Sequence, residues 1–436
     1  MSDKNSFFSL SNYFSLYNQF LDTPIAKSLN LRKISEKFVY EGAKNGVKIA
    51  SKTSTIFKSN NKQPERLNPK SSNNVFDLNY NEEQIIIQET IQQFAQKMRV
   101  DAEKTDEAGK ISDDLWQSYH ELQLPYMQTP ERLGGIMQEK STVTQMLIIE
   151  NLAHGDLGMT YAFYTSNSVL NAIVEFGTNA QQEELVPKFL SDTPMIATIA
   201  VNEPTPLFSP FELSTKATKN EENYILNGIK NMVPLGKQAE YLLVAAQDES
   251  NSIKIFIVAT NQNGLEITTD KSMGLNSAEL CTVKLDNVVV HASAILGDDS
   301  FNYDKFITYS RLGWCALAVG CCQAVLDYVI PYANDRYAFG EPISNRQAVA
   351  FMIADMKIEL DSMRILLQRA VALAEQDKDF SKQAYLAYIL CSEKSMQIGT
   401  NGVQLLGGHG YVRDFPVERW YRDLRAVSIC TNGLHI

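Results

Sequence analysis

The spacing of apolar residues along this chain changes twice. From residue 81 to about 190 it is helical: Ile85, Ile86, Ile87, Ile91, Phe94 and Ala95 open one amphipathic run, and Met146, Leu147, Ile148, Leu152 and Ala153 another. After Met195 short β-branched runs alternate with turn residues, at 196–201, 224–227, 241–246, 253–258 and 283–290. From Phe301 long helical patterns return at 314–332, 347–376 and 382–406, lengths that suit an antiparallel bundle. The pattern predicts an α+β protein with an N-terminal all-α domain over 75–194, a middle β domain over 195–298 and a C-terminal four-helix bundle over 299–436.

Residues 1–74 stand apart from this order. They hold twelve Lys/Arg against five Asp/Glu, net +7, while the remaining 362 residues carry 28 against 46, net −18. An acidic body excludes nucleic acid as a natural partner. Within the basic extension, Leu31, Ile34, Phe38, Ala43, Val47 and Ala50 approximate one helical face ringed by lysines and Arg32. Residues 31–58 are therefore read either as a basic helix lying on an anionic membrane or as a surface helix or tail, and 58–74 as a linker. No stretch reads as a spanning helix of about 20 apolar residues. The six cysteines show no CxxC spacing and the five histidines no HExxH, so no metal site is expected and a reducing compartment, the cytoplasm, fits.

Candidate chemistry lies in strings rather than in composition. Asp335-Arg336-Tyr337-Ala338-Phe339-Gly340 with Gln347 offers a guanidinium for a pyrophosphate, an aromatic ring and an amide. Gln404-Leu405-Leu406-Gly407-Gly408-His409-Gly410 places glycines where a backbone can approach a ligand closely. These strings, with Phe176-Gly177-Thr178 and Gln181, Asn202-Glu203-Pro204, Met273-Gly274-Leu275, Ile295-Leu296-Gly297 and Arg422-Asp423, resemble the acyl-CoA dehydrogenase family collinearly from Asn81 to Ile436.

The resemblance implies the acyl-CoA dehydrogenase-like fold, FAD as cofactor and α,β-dehydrogenation of an acyl-CoA thioester in fatty-acid metabolism. It also implies an oligomer, dimer or tetramer, whose FAD sites are shared between subunits, and an electron-accepting flavoprotein as a possible partner. It assigns the cofactor to Arg336, Phe339, Gln347, Gln404, Leu405, Leu406, Gly407 and Gly408, and to Val201, Asn202, Val233 and Pro234 in the middle domain. Arg311 falls at the substrate.

The departures concern the reaction itself. Abstraction of the α-proton calls for a carboxylate, and the family's glutamate is replaced by Thr431 in an ungapped match, or deleted when Thr431-Asn432-Gly433-Leu434 is matched to TNG(I/L). The alternative position on the earlier helix holds Ser310. The glycine-rich flavin turn reads Glu203-Pro204-Thr205-Pro206-Leu207-Phe208-Ser209, and the strand whose tryptophan covers the flavin reads Asn231-Met232-Val233-Pro234. A second expectation follows, that the chain is a non-catalytic or half-site subunit completing the FAD site of an active homologous partner.

Overall fold

The structure, a computed structural model, describes residues 79–436 apart from Glu139. The basic extension, its membrane reading and the linker lie outside the described residues. The N-terminal part is helical: α1 (Glu82–Ala108), α2 (Asp113–His120), α3 (Leu124–Gln128), α4 (Thr142–Gly155), α5 (Leu157–Phe176) and α6 (Asn179–Phe189). Local chemistry sets their starts. Asn81 with Gln84 and Thr178 with Gln181 form reciprocal capping boxes, and Ser112, Ser141 and Asp156 cap α2, α4 and α5. Ile87 and Ile91 turn to the core, whereas Ile85 and Ile86 face outward, because the buried stripe of α1 is narrower than its run of isoleucines.

The middle domain is a seven-stranded sheet of β1 (Ala197–Ala200), β2 (Lys216–Asn220), β3 (Asn223–Val233), β4 (Tyr241–Asp248), β5 (Ile253–Ala259), β6 (Leu265–Thr269) and β7 (Cys281–His291). The apolar pattern missed β2 and β6, which carry mostly exposed polar residues and are held by backbone pairing to β3 and β7. One detail of topology governs the site. β1 runs parallel to β4 beside Tyr241–Val244, and β2 runs parallel to β4 beside Gln247–Asp248, while β5 covers the opposite edge of β4. Between Ala200 and Lys216 the chain therefore leaves the sheet, and its amides need other partners.

The C-terminal part packs α7 (Tyr303–Asp335), α8 (Gln347–Ala374), α9 (Ser381–Leu406) and the short α10 (Val417–Leu424). Helix α7 starts eleven residues before the expected 314: Asn302 caps it at the Lys305 amide, and Lys305, Ser310, Arg311 and Gly313 break the apolar periodicity of its first turns. By length and composition this helix could cross a membrane, which corrects the expectation drawn from the sequence. Its apolar window is 78% buried inside the protein, so its apolarity serves the core.

The strings singled out in the sequence prove to be joints between the three parts. Gln181 Nε2 donates to Ile295 O at 2.6 Å and Gln181 Oε1 accepts from Gly297 N at 3.0 Å, tying α6 to the segment leaving the sheet. Asp423 Oδ1 accepts from Leu275 N at 2.7 Å, and Arg422 donates to Met273 O and to Asp106 of α1. Arg419 pairs with buried Asp156 at 3.0 Å.

Candidate functional site

Two groups of candidate residues separate along α7. Ser310 lies near its start and Arg336 caps its end, 26 residues or roughly 39 Å apart at 1.5 Å per residue.

At the far end, Tyr337–Ala338 and Glu341–Pro342 pair as a two-residue hairpin whose tip is Phe339 and Gly340, both with positive φ (56° and 87°). A phenylalanine is strained in that region, and the ring is 95% exposed, with only the Arg346 guanidinium over it at 5.1 Å. Arg336, Gln347 and Gln404 are exposed beside it, whereas Leu405 and Leu406 are buried supports. Tyr332 links the two strings, donating toward Leu406 O and meeting His409 Nδ1 at 2.8 Å. A Cβ on Gly407 or Gly408 would meet nothing within 4 Å, so both glycines face open space. Together these residues make an open ledge whose guanidinium, amides and bare glycine backbone are the groups that could hold a phosphate and sugar.

The near end is closed. Val201 and Asn202, where the chain leaves the sheet, donate their amides to Asn432 Oδ1, each at 2.7 Å. Asn432 Nδ2 donates to the carbonyls of Asn231 (3.0 Å) and Met232 (2.7 Å), which a β-bulge and a left-handed Met232 (φ 53°) turn toward it. In return, Asn202 Oδ1 accepts from Thr431 N, Thr431 Oγ1 and Asn432 N, and Asn202 Nδ2 donates to Ile429 O. Val233 and Pro234 are buried behind this exchange and touch the site only through their backbone neighbours.

Ser310 and Thr431, the two expected positions of the base, meet here: Ser310 Oγ donates to Thr431 O at 3.3 Å. Their hydrogen-bond partners among the described residues are an amide side chain and a backbone carbonyl, with no carboxylate. The adjacent Arg311 forms no ion pair among the described residues. Its guanidinium lies over the rings of Tyr385 (5.1 Å), Phe211 (5.6 Å) and Tyr388 (5.9 Å), and burial lowers its pKa.

The turn is braced from behind by a pair that the sequence reading missed. Lys230, fully buried, reaches Glu203 at 2.8 Å and donates to Val201 O at 3.1 Å. Burial pulls the Lys230 ammonium down to about 8 even with Glu203 beside it. Burial alone would raise the Glu203 carboxyl, yet Lys230 and Thr215 hold it below its usual value. Asn432 itself was visible only as part of the TNG string. Its side-chain partners lie some 200 to 231 positions away, beyond any local pattern.

Fold and site define a three-part α–β–α protein with a polar seat where sheet, bundle and helical domain meet. Domain models of the acyl-CoA dehydrogenases match it in order: the N-terminal domain at residues 81–193, the middle domain at 198–288 and the C-terminal domain at 303–433. A probable acyl-CoA dehydrogenase of Bacillus subtilis is 31% identical over 360 residues, 80% of this chain and 93% of the relative. The butyryl-CoA dehydrogenase structure from Megasphaera elsdenii superposes with a TM-score of 0.75 at 26% identity, covering 82% and 96% of the two chains. A glutaryl-CoA dehydrogenase from Mycobacterium smegmatis in complex with FADH2 shares the fold at 23% identity and a TM-score of 0.73, covering 81% and 91%. The chain belongs to the acyl-CoA dehydrogenase family.

Proposed function

We propose that the chain serves α,β-dehydrogenation of acyl-CoA thioesters, as an acyl-CoA dehydrogenase-like flavoprotein of fatty-acid metabolism. The observation that carries this reading is the open ledge of Arg336, Gln347, Gln404, Gly407 and Gly408. Those residues would hold FAD, and the flavin, when bound, supplies the acceptor for the hydrogen leaving the β-carbon. Roughly 39 Å of helix between ledge and seat is longer than an extended dinucleotide. The ledge therefore serves a neighbouring copy or homologue, and an oligomer belongs to the reading, with an electron-accepting flavoprotein downstream. The buried free cysteines support a reducing compartment, the cytoplasm. At saturating FAD, an acyl-CoA added without oxygen should bleach the visible flavin absorbance. Persistence of that absorbance with short, medium and long acyl chains would overturn the reading.

The hydroxyls at both expected base positions favour a second reading, a half-site subunit that completes the FAD site of an active homologous partner. A serine or threonine hydroxyl is a weak base near neutral pH without an activating partner. This reading expects the chain to hold little flavin alone and to raise flavin content on mixing with the partner. Arg336→Ala should abolish that gain.

A further inference from the structure

The residues that close the seat belong to one continuous segment, which runs buried through the protein. From Asn432 to Ile436 every residue is buried. The segment runs between α5 and α7: Asn171 Nδ2 on α5 donates to His435 O at 2.9 Å, and the Phe306 ring on α7 lies 4.0 Å from the His435 imidazole. Trp314 Nε1 donates to Asn432 O at 3.0 Å. Gly313 provides a notch where the segment crosses α7, since a side chain there would strike the Leu434 backbone, and Gly433 is pressed against Ile199 of β1. Leu434 and Ile436 fill the apolar remainder of the groove.

The chemistry of the seat is that of a reader of planar amides. Two N–H groups, of Val201 and Asn202, and two carbonyls, of Asn231 and Met232, converge on one acceptor and one donor of Asn432. The imide edge of a flavin ring presents acceptors and a donor in the same plane. The fit of the segment is imperfect for its polar atoms. Asn171 Oδ1, Asn231 Oδ1 and both ring nitrogens of His435 are buried without a hydrogen-bond partner. Core residues rarely leave so many such atoms together, since each costs free energy that a better-matched occupant would recover.

We propose that Thr431–Ile436 is an intramolecular plug: Asn432 sits in the seat of the flavin imide edge, Leu434–Ile436 lie in the acyl groove, and plug and ligands exclude each other. The proposal rests on the reading of this groove as the flavin and acyl site. Burial holds the His435 imidazole neutral, its pKa near 3, which suits a segment packed against apolar walls.

Two variants test it. Asn432→Ala removes the amide that holds the seat, and Gly433→Val adds a side chain that Ile199 leaves no room for. Both are compared with the unmodified chain by titration calorimetry with FAD and with octanoyl-CoA, folding being checked by circular dichroism. Affinity for each probe should rise about tenfold or more in both variants, since apparent affinity scales with the fraction of molecules whose groove is open. Equal affinities in all three proteins overturn the plug, as do folded variants that bind neither probe. Tighter binding without flavin bleaching leaves the plug standing and removes the reaction. Bleaching with unchanged binding does the reverse.

Discussion

The seat and the ledge lie at opposite ends of one helix and have been treated differently by the same sequence. At the seat the backbone groups of the turn are met from within, chiefly by two asparagines that exchange hydrogen bonds across some 230 positions, with Lys230 on Val201 O. At the ledge, arginine, glutamines, a strained phenylalanine with Arg346 over its ring and two open glycines are presented outward. The difference shows that family motifs can persist for separate physical reasons. Seat residues are tied into folding, whereas ledge residues gain nothing for the isolated fold from their position. Substitutions should therefore sort by energy: costly in stability at the seat, and costly chiefly in cofactor binding at the ledge, except where the backbone itself is strained.

The largest effect is expected behind the seat. Lys230→Met leaves Glu203 as a buried carboxylate without its cation, which costs about 3–5 kcal/mol, measured as a lower denaturation midpoint. Adding Glu203→Gln should recover most of that loss, because the cost comes from the unpaired charge rather than from the missing lysine. A loss of under about 0.5 kcal/mol, the scale of an ordinary surface change, would break the comparison at its strongest point.

The joint beside the seat should show itself in pH dependence. Burial raises Asp423 to about 7, with Asp156 adding to it and Leu275 N and Arg422 opposing. Folded Asp423 therefore keeps its proton to higher pH than the unfolded residue, whose pKa is about 3.9. Its contribution to stability is fully present below about pH 4 and fades as pH climbs toward about 7. Thermal midpoints should fall over that window in the unmodified chain, and Asp423→Asn should flatten the fall. An unchanged slope would remove Asp423 as its source.

Much of this was legible from pattern and strings, and the rest failed for physical reasons. The α–β–α order followed from the changes in apolar period, and the long helices α8 and α9 lie close to their expected spans. Strands β2 and β6 escaped because each is only five residues long with mostly exposed polar positions, too short and too polar for an apolar run to stand out. The strings around Gln181, Leu275 and Asp423 were visible as residues, while their work as inter-domain joints depends on hydrogen bonds between segments 114 to 148 positions apart. The hydroxyl residues Thr431 and Ser310 were visible too. That Asn432 beside them would bridge the Val201–Asn202 turn and the Asn231–Met232 bulge was not, because a polar residue's partner across the fold has no sequence period.

The smallest effect on stability should fall on Gly408 of the ledge, whose comparison with the adjacent Gly407 separates backbone strain from ligand contact. Gly407 has φ 58° and ψ −129°, a conformation that side-chain-bearing residues seldom adopt, so Gly407→Ala should lose about 1–3 kcal/mol of stability. Gly408 has no positive φ, and a Cβ on it would enter open space. Gly408→Ala should therefore change stability by less than about 0.5 kcal/mol. The added methyl would still stand where a bound dinucleotide comes close to the backbone. Flavin content of the assembled protein should drop in Gly408→Ala while its unfolding midpoint stays in place. If flavin content is kept, cofactor does not approach the chain there, and the outward-facing ledge loses its assignment.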